Sequence, residues 1–308
     1  MVEFSVGLDL GGTNLRAAAI SREGKILDSV SGRTNLSEGR DAVIDDMVES
    51  INHLRNTQAG RFAGVGIGVP GFIELERGYI LGSNNLPALE QFPLRDEIEN
   101  RLGAPVILEN DANAAALGEK WIGAGRDVSH LVLLTLGTGI GGGIIHHGRV
   151  LHGALGMAGE LGHITVVPNG LPCGCGNTGC VEKHASASAI AAMGRLHGLG
   201  DNITSKGVYE LATQGHERAL MIFEHVGRCL GIALSDLINI FNFPLYLLSG
   251  GPLPAWDYFA PHMLDEVTKR SFTYRNSKTV ITQAELGDKA GLYGAAYLPF
   301  LTQNLKHL

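Results

Sequence analysis

The sequence predicts an α/β protein made of two similar halves, each with a mixed sheet. One observation is a degenerate internal repeat: segments 6–16 and 133–143 both read as an apolar strand, a glycine-rich turn and a second strand. Another is the alternation of short apolar runs with amphipathic helical stretches along the rest of the chain. We therefore expect two domains that face one another across a cleft.

The local patterns justify each element in turn. A polar, glycine-containing turn follows each repeat and predicts a hairpin in each half, at 22–25 and 146–149. Apolar runs of strand length predict buried strands at 62–68, 105–109 and 244–248. Helical periodicity and helix-forming residues predict helices near 40–56, 112–119, 186–196, 217–241 and 291–301.

Composition narrows the class of protein. The chain has 308 residues, of which 44% are hydrophobic and 18% charged, so it can bury a substantial core and fits about two domains. The net charge of −7, without a long basic block, argues against nucleic acid as a partner. The chain has no uninterrupted apolar run long enough to span a membrane and no signal-peptide pattern. We expect a soluble, cytoplasmic protein with no membrane partner.

Asp111 is the first candidate for chemistry, because it follows the apolar run 105–109 and opens a run of helix formers. In α/β folds ligands bind outside the carboxyl ends of strands, where an aspartate can act as a general base. Aspartate is also a favoured helix N-cap. The local sequence leaves both roles open.

The glycine-rich turns are candidates for phosphate binding, since bare backbone can direct several N–H groups at one anion. Neither turn matches a P-loop or a dinucleotide fingerprint, and tight hairpins are the structural alternative. Two such turns, with Ser249-Gly250-Gly251 after a third strand, favour a nucleotide. Asp9, just before the first turn, is placed to hold Mg²⁺ together with phosphate oxygens.

A second candidate site consists of one histidine and three closely spaced cysteines. These residues are His163, Cys173, Cys175 and Cys180. One imidazole and three thiolates form a closed tetrahedral ligand set, which is typical of structural zinc. A redox pair is the alternative, although Cys-x-Cys differs from the Cys-x-x-Cys redox motif. Cys229 lies in an apolar helical run and is expected to be a core residue.

Taken in order, six segments resemble the ROK family of bacterial repressors, open reading frames and sugar kinases. They are 9–13 (DLGGT), 66–71 (GIGVPG), 109–113 (ENDAN), 136–143 (LGTGIGGG), 159–163 (GELGH) and 173–182 (CGCGNTGCVE). The resemblance implies the actin-like, hexokinase-like ATPase fold, a ribonuclease H-like duplication. We expect an N-terminal domain over 1–117, completed by a helix at 290–308, and a larger domain over 118–289 with a zinc loop at 163–182.

The resemblance also assigns roles to residues. It implies that Asp111 is the base for the 6-hydroxyl of a sugar. The implied sugar ligands are Gly71, Asn84, Asn110, Asp111, Glu160, His163 and Glu182. The implied ATP site, with its Mg²⁺, comprises Asp9, Gly11, Gly12, Thr13, Gly137, Thr138, Gly139, Gly250 and Gly251. His163 has two ring nitrogens, so it can ligate zinc on one side and contact sugar on the other.

The choice of substrate is less determined. Segment 82–89 and the intact cysteine loop look most like bacterial glucokinases, so we expect glucose and ATP as substrates. N-acetylglucosamine and N-acetylmannosamine remain alternatives, as does a sugar sensor without catalysis. The first glycine loop begins at residue 7, which leaves no room ahead of it for a helix-turn-helix domain. Relatives are commonly dimers, so a homodimer is expected.

Overall fold

The computed structural model describes residues 2–83 and 85–305. Its strands are β1 (Glu3–Leu10), β2 (Asn14–Ser21), β3 (Ile26–Arg33), β4 (Arg61–Val69), β5 (Phe72–Glu74), β6 (Tyr79–Gly82), β7 (Val106–Asn110), β8 (Leu131–Leu136), β9 (Ile140–His146), β10 (Arg149–Val150), β11 (Leu245–Gly250) and β12 (Val280–Gln283). Its α-helices are α1 (Arg40–Thr57), α2 (Leu94–Leu102), α3 (Asp111–Trp121), α4 (Glu182–Ala185), α5 (Ala187–Leu196), α6 (Ser205–Thr213), α7 (Glu217–Phe241), α8 (Trp256–Arg270) and α9 (Ala290–Leu305).

Two five-stranded sheets share one strand order, which explains the internal repeat. The first runs β3-β2-β1-β4-β7 and the second β10-β9-β8-β11-β12. In the first sheet β1 is antiparallel to β2 and parallel to β4, so the sheet is mixed. The second contains parallel pairs around β11 and the antiparallel hairpin β9-β10. The predicted α/β class with two mixed sheets is therefore confirmed.

The predicted helices and strands are all present, with small shifts at their ends. The helix predicted at 217–241 is α7, which buries a broad apolar face along its 25 residues. The sequence did not predict the hairpin β5-β6, the strand β12 or the helices α2, α4, α6 and α8.

The chain divides into two compact units. Unit 1 comprises the described residues of Met1–Ser129, Gly143–Gly159 and Glu285–Leu308, and unit 2 comprises His130–Gly142 and Glu160–Ala284. The domain limits expected from the sequence stay a prediction.

In unit 1 the helix α9 packs on the first sheet and on α3 without room for intervening side chains. A Cβ added at Gly66 would collide with the carbonyl of Ala295, and one at Gly118 with that of Ala290. This close backbone approach fixes α3, and with it the start of α3 at Asp111.

No helix in the described part of the chain is long and apolar enough to cross a membrane.

Candidate active site and metal centre

The carboxyl ends of three parallel strands meet at one edge of the first sheet. In their register Asp9 on β1 lies beside Gly68 on β4, which lies beside Glu109 on β7. The chain then turns from β7 directly into α3, whose first residue is Asp111. This is the sheet edge where α/β proteins bind ligands.

Asn110, not Asp111, caps helix α3. Its Oδ1 atom accepts hydrogen bonds from the backbone N–H groups of Ala112 and Asn113, at 2.9 and 3.2 Å. Its Nδ2 atom donates to the Gly71 carbonyl at 3.2 Å. The N-cap role that the sequence left open for Asp111 therefore belongs to its neighbour, and Asn110 is already held by three hydrogen bonds.

Asp111 and Asp9 form an electrostatically strained pair of carboxylates. Burial raises the pKa of Asp111 above its ordinary value, although a backbone hydrogen bond from Ala112 opposes the shift. Burial and the charge of Asp111 raise the pKa of Asp9 to about 6. The absence of a side chain at Gly291 leaves room for Asp9, since a Cβ added at Gly291 would lie only 3.3 Å from Oδ1 of Asp9. Like charges that raise a carboxylate pKa favour the binding of a cation or a proton nearby.

Behind this pair lies a buried carboxylate, Glu109, which is 3% exposed. Its Oε1 atom accepts from the Asn110 N–H at 3.0 Å and from the Asn113 side chain at 3.1 Å. Its Oε2 atom accepts from His152 Nε2 at 2.7 Å. Burial alone would lower the pKa of His152, but the hydrogen bond to Glu109 and its charge raise it.

The first glycine-rich turn, 11–13, lies between β1 and β2. Thr34 Oγ1 donates to the Gly11 carbonyl at 2.7 Å, which fixes the turn from outside. At Gly12 an added Cβ would lie 2.8 Å from the carbonyl oxygen of Asn85, so only glycine fits. Thr13 is exposed. Asn84, expected as a sugar ligand, lies outside the described residues.

Gly71 requires glycine for two reasons. Its φ of +121° is in the region that disfavours side chains, and a Cβ would collide with the Gly82 carbonyl. Its own carbonyl is the acceptor for Asn110. The sequence analysis expected both Gly71 and Asn110 among the sugar ligands, and this hydrogen bond connects the two residues in the structure.

In unit 2 the second glycine-rich turn, 137–139, is tied to Glu182. A Cβ at Gly139 would collide with Glu182 Oε2, and that same oxygen accepts from the Ile140 N–H at 3.1 Å. The Gly137 carbonyl accepts from the Ala187 N–H at 2.8 Å. The turn is therefore held against the start of α4 and α5.

Gly250 and Gly251 end strand β11. Gly250 has a φ of +110° and pairs with Leu136, whose carbonyl a Cβ would strike. Around Gly251 the space is open. A cavity of about 440 Å³ lies beside Thr138 and is lined in part by Ser188, Arg195 and Thr204.

The Cys₃His group has the spacing of a tetrahedral zinc site. Cys175 Sγ lies 3.7 Å from Cys180 Sγ, and Cys173 Sγ lies 3.6 Å from His163 Nδ1. Ideal zinc–sulfur and zinc–nitrogen bonds place such ligand pairs about 3.8 and about 3.6 Å apart. All four ligand atoms lie within 4.8 Å of one another. The donor set and its spacing therefore fit zinc.

Backbone and burial act in opposite directions on two of these thiols. A hydrogen bond from the Asn177 backbone lowers the pKa of Cys175, and burial raises the pKa of Cys180 to about 12. A bound cation favours the thiolate form of both.

His163 presents its two ring nitrogens to different neighbours. Nδ1 faces Cys173, and Nε2 lies 3.8 Å from Oε2 of Glu160. Glu182 is adjacent, with Oε1 4.0 Å from Cys173 Sγ. The Cys₃His group therefore forms one cluster in unit 2 with Glu160 and Glu182, the two carboxylates expected to bind sugar.

Sequence reasoning missed the Glu109–His152 pair. Glu109 is part of a recognised segment, but its burial depends on the register of β7 in the sheet. His152 is 43 positions away, in an irregular segment with no spacing signal.

Comparison with known proteins places these features in a family. The model of the ROK family matches residues 5–300. A glucokinase of Thermotoga maritima is 38% identical over 304 residues, which cover 94% of this chain and 95% of that protein.

Two solved structures have the same fold. A ROK hexokinase from Thermus thermophilus superposes with a TM-score of 0.89 at 34% identity, covering 98% of this chain and 99% of that one. A ROK family glucokinase from Streptomyces griseus, in complex with glucose and AMPPNP, superposes with a TM-score of 0.75 at 34% identity, covering 96% and 98%. The fold is thus that of the hexokinase-like ATPases, and the chain belongs to the ROK family.

Proposed function

We propose that this protein is a glucokinase that transfers the γ-phosphoryl group of ATP to the 6-hydroxyl of glucose. The observation that carries the proposal is the position of Asp111. Its carboxylate lies at the carboxyl edge of a parallel sheet, it is freed from capping by Asn110, and burial raises its pKa. A raised pKa makes a carboxylate a stronger base towards a sugar hydroxyl.

Phosphoryl transfer requires position and charge more than covalent chemistry from the protein. Asp111 accepts the proton of the 6-hydroxyl. The backbone of the turns 11–13 and 137–139 donates hydrogen bonds to the phosphates, and Gly250 and Gly251 border the nucleoside. Thr13 and Thr138 are exposed on these turns and add hydroxyl donors.

Asp9 is the residue that we assign to Mg²⁺. Mg²⁺ is bound by one or two carboxylates with phosphate oxygens and water, and it neutralises charge on the phosphates. The raised pKa of Asp9, due to burial and to the charge of Asp111, is consistent with a deficit of positive charge at this position. A divalent cation relieves that deficit.

The remaining sugar hydroxyls are assigned to Asn84, Asn110, Glu160, His163 and Glu182, with the Gly71 segment alongside. The Cys₃His group is assigned to structural zinc, which has no open coordination position and so holds residues in place rather than activating water. Because His163 is in this group and Glu182 borders it, these residues would be held in place for sugar binding when zinc is bound.

Two alternatives are distinguished by the same assay. An N-acetylhexosamine kinase would use the same base with a different 2-substituent. A sugar sensor would bind sugar without consuming ATP. Its function would not require Asp111, a carboxylate with a raised pKa, near a second carboxylate, Asp9.

The test is ADP release measured against glucose, mannose, fructose, N-acetylglucosamine and N-acetylmannosamine, with product identified by mass. Glucose-dependent ADP release with glucose 6-phosphate as product supports the proposal. Turnover of the acetamido sugars alone would identify an N-acetylhexosamine, not glucose, as the substrate. Sugar binding without ADP release would mean that the protein is a sugar sensor and not a kinase.

A further inference from the structure

A second cluster of metal-ligating side chains lies inside unit 2 and shares no residue with the Cys₃His group. It consists of His184 on α4 with His225 and Cys229 on α7. His225 and Cys229 are four residues apart, so they share one face of the helix. His184 is 5% exposed and Cys229 is 2% exposed. His225 is half-buried, so the cluster is largely but not fully enclosed by protein.

The ligand atoms have the spacing of a metal site. His184 Nδ1 lies 3.1 Å from His225 Nε2, which lies 3.5 Å from Cys229 Sγ. Ideal tetrahedral zinc places two nitrogens about 3.3 Å apart and a nitrogen and a sulfur about 3.6 Å apart. The three ligand atoms are all within 4.8 Å of one another. The agreement is similar to that of the Cys₃His group.

Hydrogen bonding alone satisfies this cluster poorly. His184 Nδ1 and Cys229 Sγ both lie within hydrogen-bond distance of His225 Nε2, which carries either one N–H or one lone pair and so can pair fully with only one of them. The other nitrogen of His184, Nε2, is buried without a hydrogen-bond partner among the described residues. With its proton on Nε2, His184 has a lone pair on Nδ1 that is available to a cation.

We propose that His184, His225 and Cys229 form a second metal site, which binds a borderline-soft divalent transition metal such as Zn²⁺. Two imidazoles and a thiolate select this class over Mg²⁺ or Ca²⁺, which prefer oxygen ligands. Among the described residues the group has three protein ligands, so a fourth position is left for water. Binding releases the thiol proton of Cys229, and the thiolate and two neutral imidazoles donate the three bonds.

An ion bound at the proposed site would also affect the segment around Glu182, because His184 lies close to it in the sequence. α4 begins at Glu182, two residues before His184, and Glu182 holds the 137–139 turn. An ion that joins His184 to α7 therefore fixes the helix that bears Glu182.

The test counts zinc in protein purified without chelators from zinc-supplemented cultures. We expect two equivalents per chain in the unaltered protein and one in Cys229→Ala and in His225→Gln. His53→Gln, which removes an exposed histidine on α1 in unit 1, is the matched control and keeps two. Circular dichroism checks that each variant is folded.

Cobalt loading gives a second readout that separates the two sites. Cys229→Ala should lose one thiolate's share of the charge-transfer absorption, and the remaining spectrum should be that of the three-cysteine group. One equivalent in the unaltered protein would overturn the proposal. Two equivalents that persist in both cluster variants would assign the extra ion to another place and overturn it equally. These readouts do not depend on kinase activity.

Discussion

His152 donates a hydrogen bond from Nε2 to Oε2 of Glu109, with the two atoms 2.7 Å apart. The other oxygen of Glu109 holds the backbone N–H of Asn110, the residue before Asp111. An imidazole is thus connected through a buried carboxylate to the backbone that places the proposed base.

This relationship predicts a pH dependence of stability. Because the folded-state pKa of His152 is raised, its charged form stabilises the fold below the unfolded pKa, and this contribution is lost as pH rises through the folded pKa. His152→Gln should be less stable than the unaltered protein at pH 5.5, and the gap should narrow by pH 8.5. Urea unfolding at both pH values measures this difference in stability, and His53→Gln, which changes an exposed histidine, is the control. A gap that widens with pH contradicts the prediction.

Asp111→Asn should slow phosphoryl transfer by about a hundredfold or more while glucose still binds, because the amide keeps the shape but cannot accept the proton. Helix α3 should be unaffected, since Asn110 provides the cap. Single-turnover kinetics and glucose titration calorimetry separate the two effects.

Asp41→Asn is the matched control, since it changes the same group in the first turn of α1. Turnover close to that of the unaltered protein in the Asp111 variant would remove Asp111 from the role of base.

Asp9→Asn should raise the melting temperature of the ligand-free protein at pH 7.5 and lower its activity. The pKa of Asp9 is raised from 3.8 to about 6, so ionising it costs the folded state increasingly as pH rises through that interval. The stabilising effect of the substitution should therefore be full above pH 6 and absent below 3.8. The kcat/KM for MgATP should fall by about a hundredfold, since a charge stabilising the phosphates is lost.

The control for Asp9 is Asp127→Asn, whose side chain is 91% exposed. A melting temperature that falls in the Asp9 variant would mean that the carboxylate pair does not repel in the folded state.

Cys175→Ser should lower the zinc content by one equivalent and destabilise unit 2, because a zinc ion bound to the Cys₃His group would hold the loop 163–182. We expect a higher KM for glucose as Glu182 loses its support. Elemental analysis, thermal unfolding and glucose kinetics check the three effects. Full zinc content and full activity in this variant would contradict the assignment.

Glucose should exceed N-acetylglucosamine in kcat/KM by at least about a hundredfold. A site that hydrogen-bonds a hydroxyl rejects an analogue that leaves buried polar groups unpaired, whereas added bulk in a roomy pocket costs only about 1–3 kcal/mol. Competing the two sugars in one reaction measures the ratio directly. Equal use of both would leave the base and the zinc in place but reject the glucose preference.

The sequence predicted several of the longer elements, although not α6 or α8, and the sites with unusual composition. α7 has an apolar period along 25 residues, and the Cys₃His spacing restricts the ligand set, so both could be predicted locally. The cap at Asn110 could not, because Asn and Asp are both good caps and only the backbone shows which one precedes the helix. The partnership of Glu109 with His152 depends on strand register and on an irregular segment, which local patterns do not encode.

The place of α9 in unit 1 has a consequence for synthesis. Leu292 and Ala296 of α9 share a cluster with Ala18 and Ile20 of the first sheet. These two pairs lie some 270 residues apart in the sequence, because Leu292 follows Ala18 by 292 − 18 = 274 positions. The ribosome therefore synthesises Ala18 and Ile20 long before Leu292 and Ala296. All of unit 2 emerges between them. Ala18 and Ile20 of the first sheet therefore lack their contacts with α9 until unit 2 has been synthesised, and a chain that stops before residue 290 never forms them.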